Sequence, residues 1–171
     1  MLTRPFSLAE NLCCSKCKQV YQLTEINSYA TCCNKPLVVN YDLPSAPLKT
    51  ALSSANNSMW RYAALLPVFN KQNIVSLGEG MTPIHHLHKL AGQYGFDALL
   101  MKDETSNPTG SFKARGISVA VSKAKEPGIT KCIVPTAGNA GGALAAYCAK
   151  AGIQCTVAMP SQTPNIFKQK C

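Results

Sequence analysis

The residues best suited to chemistry fall in a few short stretches. One is Asn107-Pro108-Thr109-Gly110-Ser111-Phe112-Lys113-Ala114-Arg115-Gly116. Asn107, Pro108 and Gly110 end one element, and Thr109 or Ser111 is expected to cap the helix that follows. Lys113 then stands in the first helical turn, where the partly positive helix end disfavours a further positive charge. Arg115 is expected to push the same way. Such a position favours a neutral amine, the form that makes a Schiff base with an aldehyde. An ordinary solvated lysine would fit the same place.

Another stretch is Pro135-Thr136-Ala137-Gly138-Asn139-Ala140-Gly141-Gly142, which joins a strand to a helix. Backbone N–H groups at such a helix start bind a carboxylate or phosphate. The glycines let a ligand approach the backbone closely, and Asn139 can donate to an oxygen on a bound ring. A tight turn into a closely packed helix would use the same residues. The pattern is neither a phosphate loop with Gly-Lys-Ser/Thr nor the dinucleotide fingerprint. Three further groups are weaker. Leu77-Gly78-Glu79-Gly80-Met81-Thr82-Pro83-Ile84 reads as a turn leading into a strand. Lys102-Asp103-Glu104 follows the next strand, on the side where open α/β sheets bind ligands. His86 and His88 would share one face of a strand beside His85 and could bind a metal, although an exposed polar segment explains all three.

Nine cysteines are present, and Cys13, Cys14, Cys17, Cys32 and Cys33 share one N-terminal window. Residues 1–11 lack a basic start followed by a long apolar run, so no secretory signal is read and a cytoplasmic protein is expected. Clustered cysteines in a reducing compartment suggest metal rather than disulfides. Cys132, Cys148 and Cys155 lie in apolar runs and read as small core residues.

The elements that must position these groups divide the chain into three. Residues 1–43 are cysteine-rich and end in a short strand from Pro36 to Leu43. Residues 44–76 form a connecting region with Pro44, Pro47, Pro67, a polar run at 53–58 and a short helix over 59–68. Residues 77–171 alternate strands with helices. Strands are expected at 98–102, 131–135 and 153–159, and helices at 111–125, 139–151 and from about Thr163 onward. Pro127-Gly128 stops one helix and Gly152 ends the next. The alternation predicts an α/β fold with mostly parallel strands. The last helix has no capping glycine and no following strand, so a truncated domain is expected; the protein partners expected are further copies of the chain in a homo-oligomer or a complementing C-terminal chain.

With 46% hydrophobic and 15% charged residues, the 171-residue chain is globular rather than disordered. No apolar run reaches the roughly 18 residues that span a bilayer. The net charge of +9 points to an anionic partner, either nucleic acid or phosphorylated small molecules. The basic residues are scattered and not interleaved with aromatics, which disfavours nucleic acid.

Together the stretches 77–84, 102–116 and 135–142 resemble threonine synthases in order and approximate spacing. These are fold-type-II pyridoxal-phosphate (PLP) enzymes, similar in architecture to tryptophan synthase β subunits. Lys-Asp-Glu followed by Asn-Pro-Thr-Gly-Ser-Phe-Lys-Ala-Arg-Gly is highly specific for that group. The resemblance covers about residues 77–164 closely and the cysteine-rich start more loosely. It implies a partial parallel sheet with helices, preceded by a small ribbon-like N-terminus. Lys113 would bond to the pyridoxal-phosphate aldehyde and shuttle protons. Asn139 would donate to the cofactor's 3′ oxygen. Thr136, Ala137 and Gly138 would receive the substrate carboxylate. The implied reaction takes O-phospho-L-homoserine and water to L-threonine and phosphate. Sister activities on the same scaffold, such as cysteate synthase or an ammonia-lyase, are alternatives. A zinc-ribbon module with nucleic-acid affinity is a third, and would show salt-dependent binding. The family's phosphate loop and pyridine-nitrogen partner lie beyond Cys171, so the chain alone is expected to be inactive. Some threonine synthases carry a zinc ribbon of two Cys-x-x-Cys pairs. Cys14 and Cys17 match the first pair. The second departs, since position 30 is alanine and Cys32 adjoins Cys33. The four thiolates Cys14, Cys17, Cys32 and Cys33 are expected to meet only with distorted geometry.

Overall fold

The computed structural model describes residues 6–43, 45 and 57–171. Pro44, Pro47 and residues 53–56 of the expected connecting region lie outside the described residues. In the cysteine-rich part, β1 (Ala9–Cys14) is the centre of a three-stranded antiparallel sheet. It pairs with β2 (Val20–Tyr21) on one edge and β3 (Leu37–Tyr41) on the other. Leu12 stands opposite both Tyr21 and Val39, and Cys13 opposite Val20 and Val38. The strand expected before Leu43 is therefore present. The sheet is tied to the rest of the chain by the Leu8 N–H, which donates to the Ala64 carbonyl at 2.8 Å.

Residues 59–68 form a 3-10 turn, Met59–Leu65, rather than an α-helix. The Ser58 hydroxyl accepts from the Trp60 N–H at its start, and the backbone departs from helical angles at Tyr62. Met59, Trp60, Ala63 and Val68 form a small core there.

Beyond it run β4 (Ile84–His86), α1 (His88–Tyr94), β5 (Leu100–Lys102), α2 (Lys113–Lys125), β6 (Lys131–Pro135), α3 (Asn139–Ala151), β7 (Gln154–Ala158) and α4 (Asn165–Gln169). β6 and β7 are parallel and in register from Lys131 opposite Gln154 to Pro135 opposite Ala158. The helix α3 supplies the long crossover that a parallel pair requires. Gly152 ends α3 in the left-handed region at φ +69, where glycine carries no Cβ penalty. The expectation of mostly parallel strands needs correction. β4 and β5 are antiparallel and make their own two-stranded sheet. Strand direction is set by how the intervening segment returns, and the apolar strings of the two strands do not carry that information.

The main core joins Val75, Ala114, Val121, Leu144, Tyr147, Cys148 and Ile153. α2 buries Ala114, Ser118, Val121 and Ser122, a helical spacing that turns one face inward. Full burial of a side chain such as Val121 is worth about 1.5–3 kcal/mol. Cys148 is buried, and Cys132 and Cys155 pack half-buried against the same core, as their apolar surroundings suggested. Among the described residues, no helix is long and apolar enough to cross a membrane.

Candidate active site

Lys113 is the first residue of α2, as its sequence position required, and its side chain is exposed. Its Nζ sits 4.7 Å from the Phe112 ring centroid. The expected Thr109 or Ser111 cap is absent, for a backbone reason. Thr109 and Gly110 take successive positive φ values of +68 and +70, and α2 starts with no side-chain cap. The Thr109 and Ser111 hydroxyls are left buried without a hydrogen-bond partner. Arg115 also differs from expectation. Its guanidinium grips Glu104 with two bonds of 2.7 and 2.8 Å, so its charge is answered by a carboxylate rather than directed at Lys113.

That pair belongs to a network that shapes the loop before Lys113. The Thr82 hydroxyl donates to Glu104 at 2.7 Å, and the Asn107 amide donates to it at 2.9 Å. Asn107 in turn accepts from the Gly80 N–H at 3.0 Å. The Arg115 guanidinium, and then Thr82 and Asn107, hold the Glu104 carboxyl down to about 2 against the cost of burial.

Thr136, Ala137 and Gly138 form the turn between β6 and α3, and Asn139 opens the helix. Gly138 is extended and α3 has no side-chain cap, so the first-turn N–H groups have no side chain closing over them. The Thr136 hydroxyl accepts from the Gly138 N–H at 3.2 Å, and this bond sets the turn. A Cβ built on Gly138 meets nothing within 4 Å, which marks open space beside the backbone. Gly141 and Gly142 differ: Cβ atoms there would come within 2.8 Å of Val157 and 2.9 Å of Lys170. Their glycines serve close packing on β7 and the C-terminal segment. The helix α3 packs along α2 and against the 108–110 turn. Open space beside an uncapped helix start, orphaned hydroxyls and an exposed lysine suit a ligand carrying an aldehyde and anionic oxygens.

The histidines do not share a strand face. His86 ends β4 and His88 opens α1, with their rings stacked 5.5 Å apart, while His85 approaches Asp103 at 3.8 Å. The four N-terminal cysteines do converge. The sulfurs of Cys14, Cys17, Cys32 and Cys33 all lie within 4.8 Å of one another, the one such ligand grouping among the described residues. Lys18 and Asn34 take left-handed backbone angles and turn the chain back at the two loops. The Ala30–Lys35 bridge and the Cys32 N–H bond to the Tyr21 hydroxyl let the adjacent Cys32 and Cys33 face the same point. A tetrahedron with metal–sulfur bonds of about 2.3 Å has sulfur–sulfur edges of about 3.8 Å, a size this cluster fits with small adjustments. The Cys17 N–H, against burial and with help from Lys16, brings the Cys14 thiol down to about 6. Sharing with Cys17, followed by burial, pushes the Cys33 thiol up to about 12.

Sequence reasoning missed Glu79. It is fully buried, and its carboxylate accepts from Trp60 Nε1 at 2.8 Å, the Leu77 N–H at 2.9 Å, Ser118 Oγ at 2.6 Å and the Tyr147 hydroxyl at 2.6 Å. A carboxylate between two glycines in an otherwise apolar stretch was the available signal.

Residues 75–171 match the family described as pyridoxal-phosphate dependent enzyme, and the chain belongs to that family. It is 38% identical over 150 residues to the threonine synthase of Methanocaldococcus jannaschii, which covers 86% of this chain and 37% of that protein. It is 39% identical over 152 residues to the threonine synthase of Methanosarcina acetivorans, covering 88% and 37%. The likeness to the Halalkalibacterium halodurans threonine synthase is 44% over 108 residues, covering 60% and 30%. The chain thus spans 30% to 37% of the length of these curated relatives. A solved pyridoxal 5'-phosphate-dependent aspartate racemase is 31% identical, over 52% of this chain and 29% of its own, with a TM-score of 0.48.

Proposed function

We propose that this chain carries the lysine-bearing part of a threonine synthase-like site, one that takes O-phospho-L-homoserine and water to L-threonine and phosphate. The observation that carries the reading is a pyridoxal-phosphate family match whose span includes an exposed Lys113 at the start of α2 and the uncapped start of α3, two helices that pack together. Bound pyridoxal phosphate supplies the electron sink for carbanion chemistry on an amino acid. In this reading Lys113 holds the cofactor aldehyde and carries protons at its Nζ. Thr136, Ala137 and Gly138, with neighbouring backbone amides, receive the substrate carboxylate, although the Thr136 N–H is already spent on the Ala158 carbonyl at 2.9 Å, and the Asn139 side chain donates to the cofactor's ring oxygen. The net charge of +9 favours a doubly anionic substrate. The specific reaction is supported by the threonine synthases, whose matches cover 86% and 88% of the chain and so more than its α/β part.

Residues 1–43 are read as a metal-holding ribbon, 44–76 as a connector and 77–171 as part of the cofactor domain. Zinc on Cys14, Cys17, Cys32 and Cys33 is supported by the convergence of their sulfurs. The test of the main reading is a titration with pyridoxal phosphate followed by visible absorbance, on the wild-type chain and on Lys113→Ala. A new band that the substitution removes is the expected result. Equal spectra for the two proteins would overturn the role of Lys113.

A further inference from the structure

We propose that Glu79 is a positioning residue: its buried carboxylate fixes α2 against α3 and so sets the placement of Lys113 relative to the Thr136–Asn139 loop. The proposal rests on the reading of those residues given above. The geometry is that of a clamp. Oε1 receives Trp60 Nε1 and Ser118 Oγ, and Oε2 receives the Leu77 N–H and the Tyr147 hydroxyl. Ser118 lies on α2 and Tyr147 on α3, so one carboxylate spans both helices. Ser118 Oγ is also 2.7 Å from the Val75 carbonyl. Its one proton belongs toward the carboxylate, the charged and therefore stronger of the two acceptors.

The loop that carries Glu79 is itself fixed on both sides. The Glu79 carbonyl accepts from the Met59 N–H at 2.8 Å, and Gly80 hands its N–H to Asn107 in the loop that leads to Lys113. Four donors converge on the group and, among the described residues, no cation forms an ion pair with it; the Arg115 guanidinium is bound to Glu104 instead. A neutral residue of the same shape cannot replace it. A glutamine would turn its NH₂ toward one of two pairs of donors, leaving a donor facing a donor in an enclosed site.

Glu79→Gln, Tyr147→Phe and Ile153→Ala chains would be compared with wild type, the last as a core change at the far end of α3. Two readouts apply, both taken well below each melting temperature. The first is amide hydrogen exchange in residues 111–116 and 138–143. The second is trapping of pyridoxal phosphate at Lys113 by borohydride, set against trapping of a small aldehyde such as acetaldehyde. Positioning predicts that Glu79→Gln speeds exchange in both segments by about tenfold or more, while Ile153→Ala does not. It also predicts that Glu79→Gln lowers pyridoxal-phosphate trapping but leaves acetaldehyde trapping at wild-type level. Exchange in both segments no faster for Glu79→Gln than for Ile153→Ala would overturn the proposal. If Glu79→Gln does not fold, Tyr147→Phe decides: faster exchange in 138–143 supports the clamp, and unchanged exchange there refutes it. A wild-type chain that traps no pyridoxal phosphate counts against the cofactor reading, and the exchange data still judge the clamp.

Discussion

The Tyr147 hydroxyl donates to the Glu79 carboxylate at 2.6 Å, with both side chains completely enclosed. Burial, then the adjoining carboxylate, pushes the Tyr147 phenol well above its usual range. For Glu79, burial would raise the carboxyl, but Ser118, Tyr147 and the neighbouring backbone donors hold it below its usual range. Tyr147→Phe keeps the ring volume and deletes one bond to a charge, so it is expected to cost about 1.5–3 kcal/mol of stability. Urea unfolding of the two proteins measures this difference directly.

Acid should weaken the fold through the same kind of group. Glu104 is held to about 2, far below the range of an unfolded glutamate. A carboxyl depressed on folding adds stability that is present above its unfolded pKa and lost as pH falls through the folded one. The loss attributed to Glu104 therefore lies between about pH 4.3 and about 2. Glu79 contributes in the same direction, since its carboxyl is also lowered. Arg115→Ala removes the main cause at Glu104 and should flatten the stability–pH curve in that window, as read by thermal melts at stepped pH.

Gly80 faces a double demand. Its φ is +101, and an added Cβ would lie 2.5 Å from the Met59 backbone nitrogen. Gly80→Ala is expected to lose at least about 2 kcal/mol, since strain and a backbone collision act together. Gly78, at φ +92 with open space around it, should tolerate alanine at a smaller cost. The comparison of their melting temperatures separates collision from conformational strain.

The four-cysteine cluster should bind one zinc per chain. Chelation is then expected to lower the melting temperature, because the metal holds only the folded arrangement of the ligands. Cys14→Ser should abolish stoichiometric zinc as measured by elemental analysis after dialysis. Full retention of the metal in that variant would remove Cys14 from the ligand set.

Much of the α/β part was legible in the sequence, and the reasons are local. Lys131–Pro135 and Asn139–Ala151 form the strand and helix that their apolar runs and flanking glycines indicated. Lys113 and Asn139 both stand at helix starts, as the turn residues before them required. Capping by Thr109 or Ser111 failed because the turn before α2 uses positive φ at Thr109 and Gly110. The helix α1 and the antiparallel pairing of β4 with β5 were not foreseen, since neither shows a long periodic run. The Glu79 clamp was invisible for a different reason. Its donors come from Trp60, Leu77, Ser118 and Tyr147, and only the folded chain brings them together.

The central claim is that Lys113, and no other lysine, holds pyridoxal phosphate. The most direct measurement is borohydride reduction of the chain with the cofactor, followed by peptide mass mapping. One reduced adduct per chain is expected, on the peptide that contains Lys113, and it is lost in Lys113→Ala. Adducts spread over several surface lysines, and unchanged by that substitution, would contradict it.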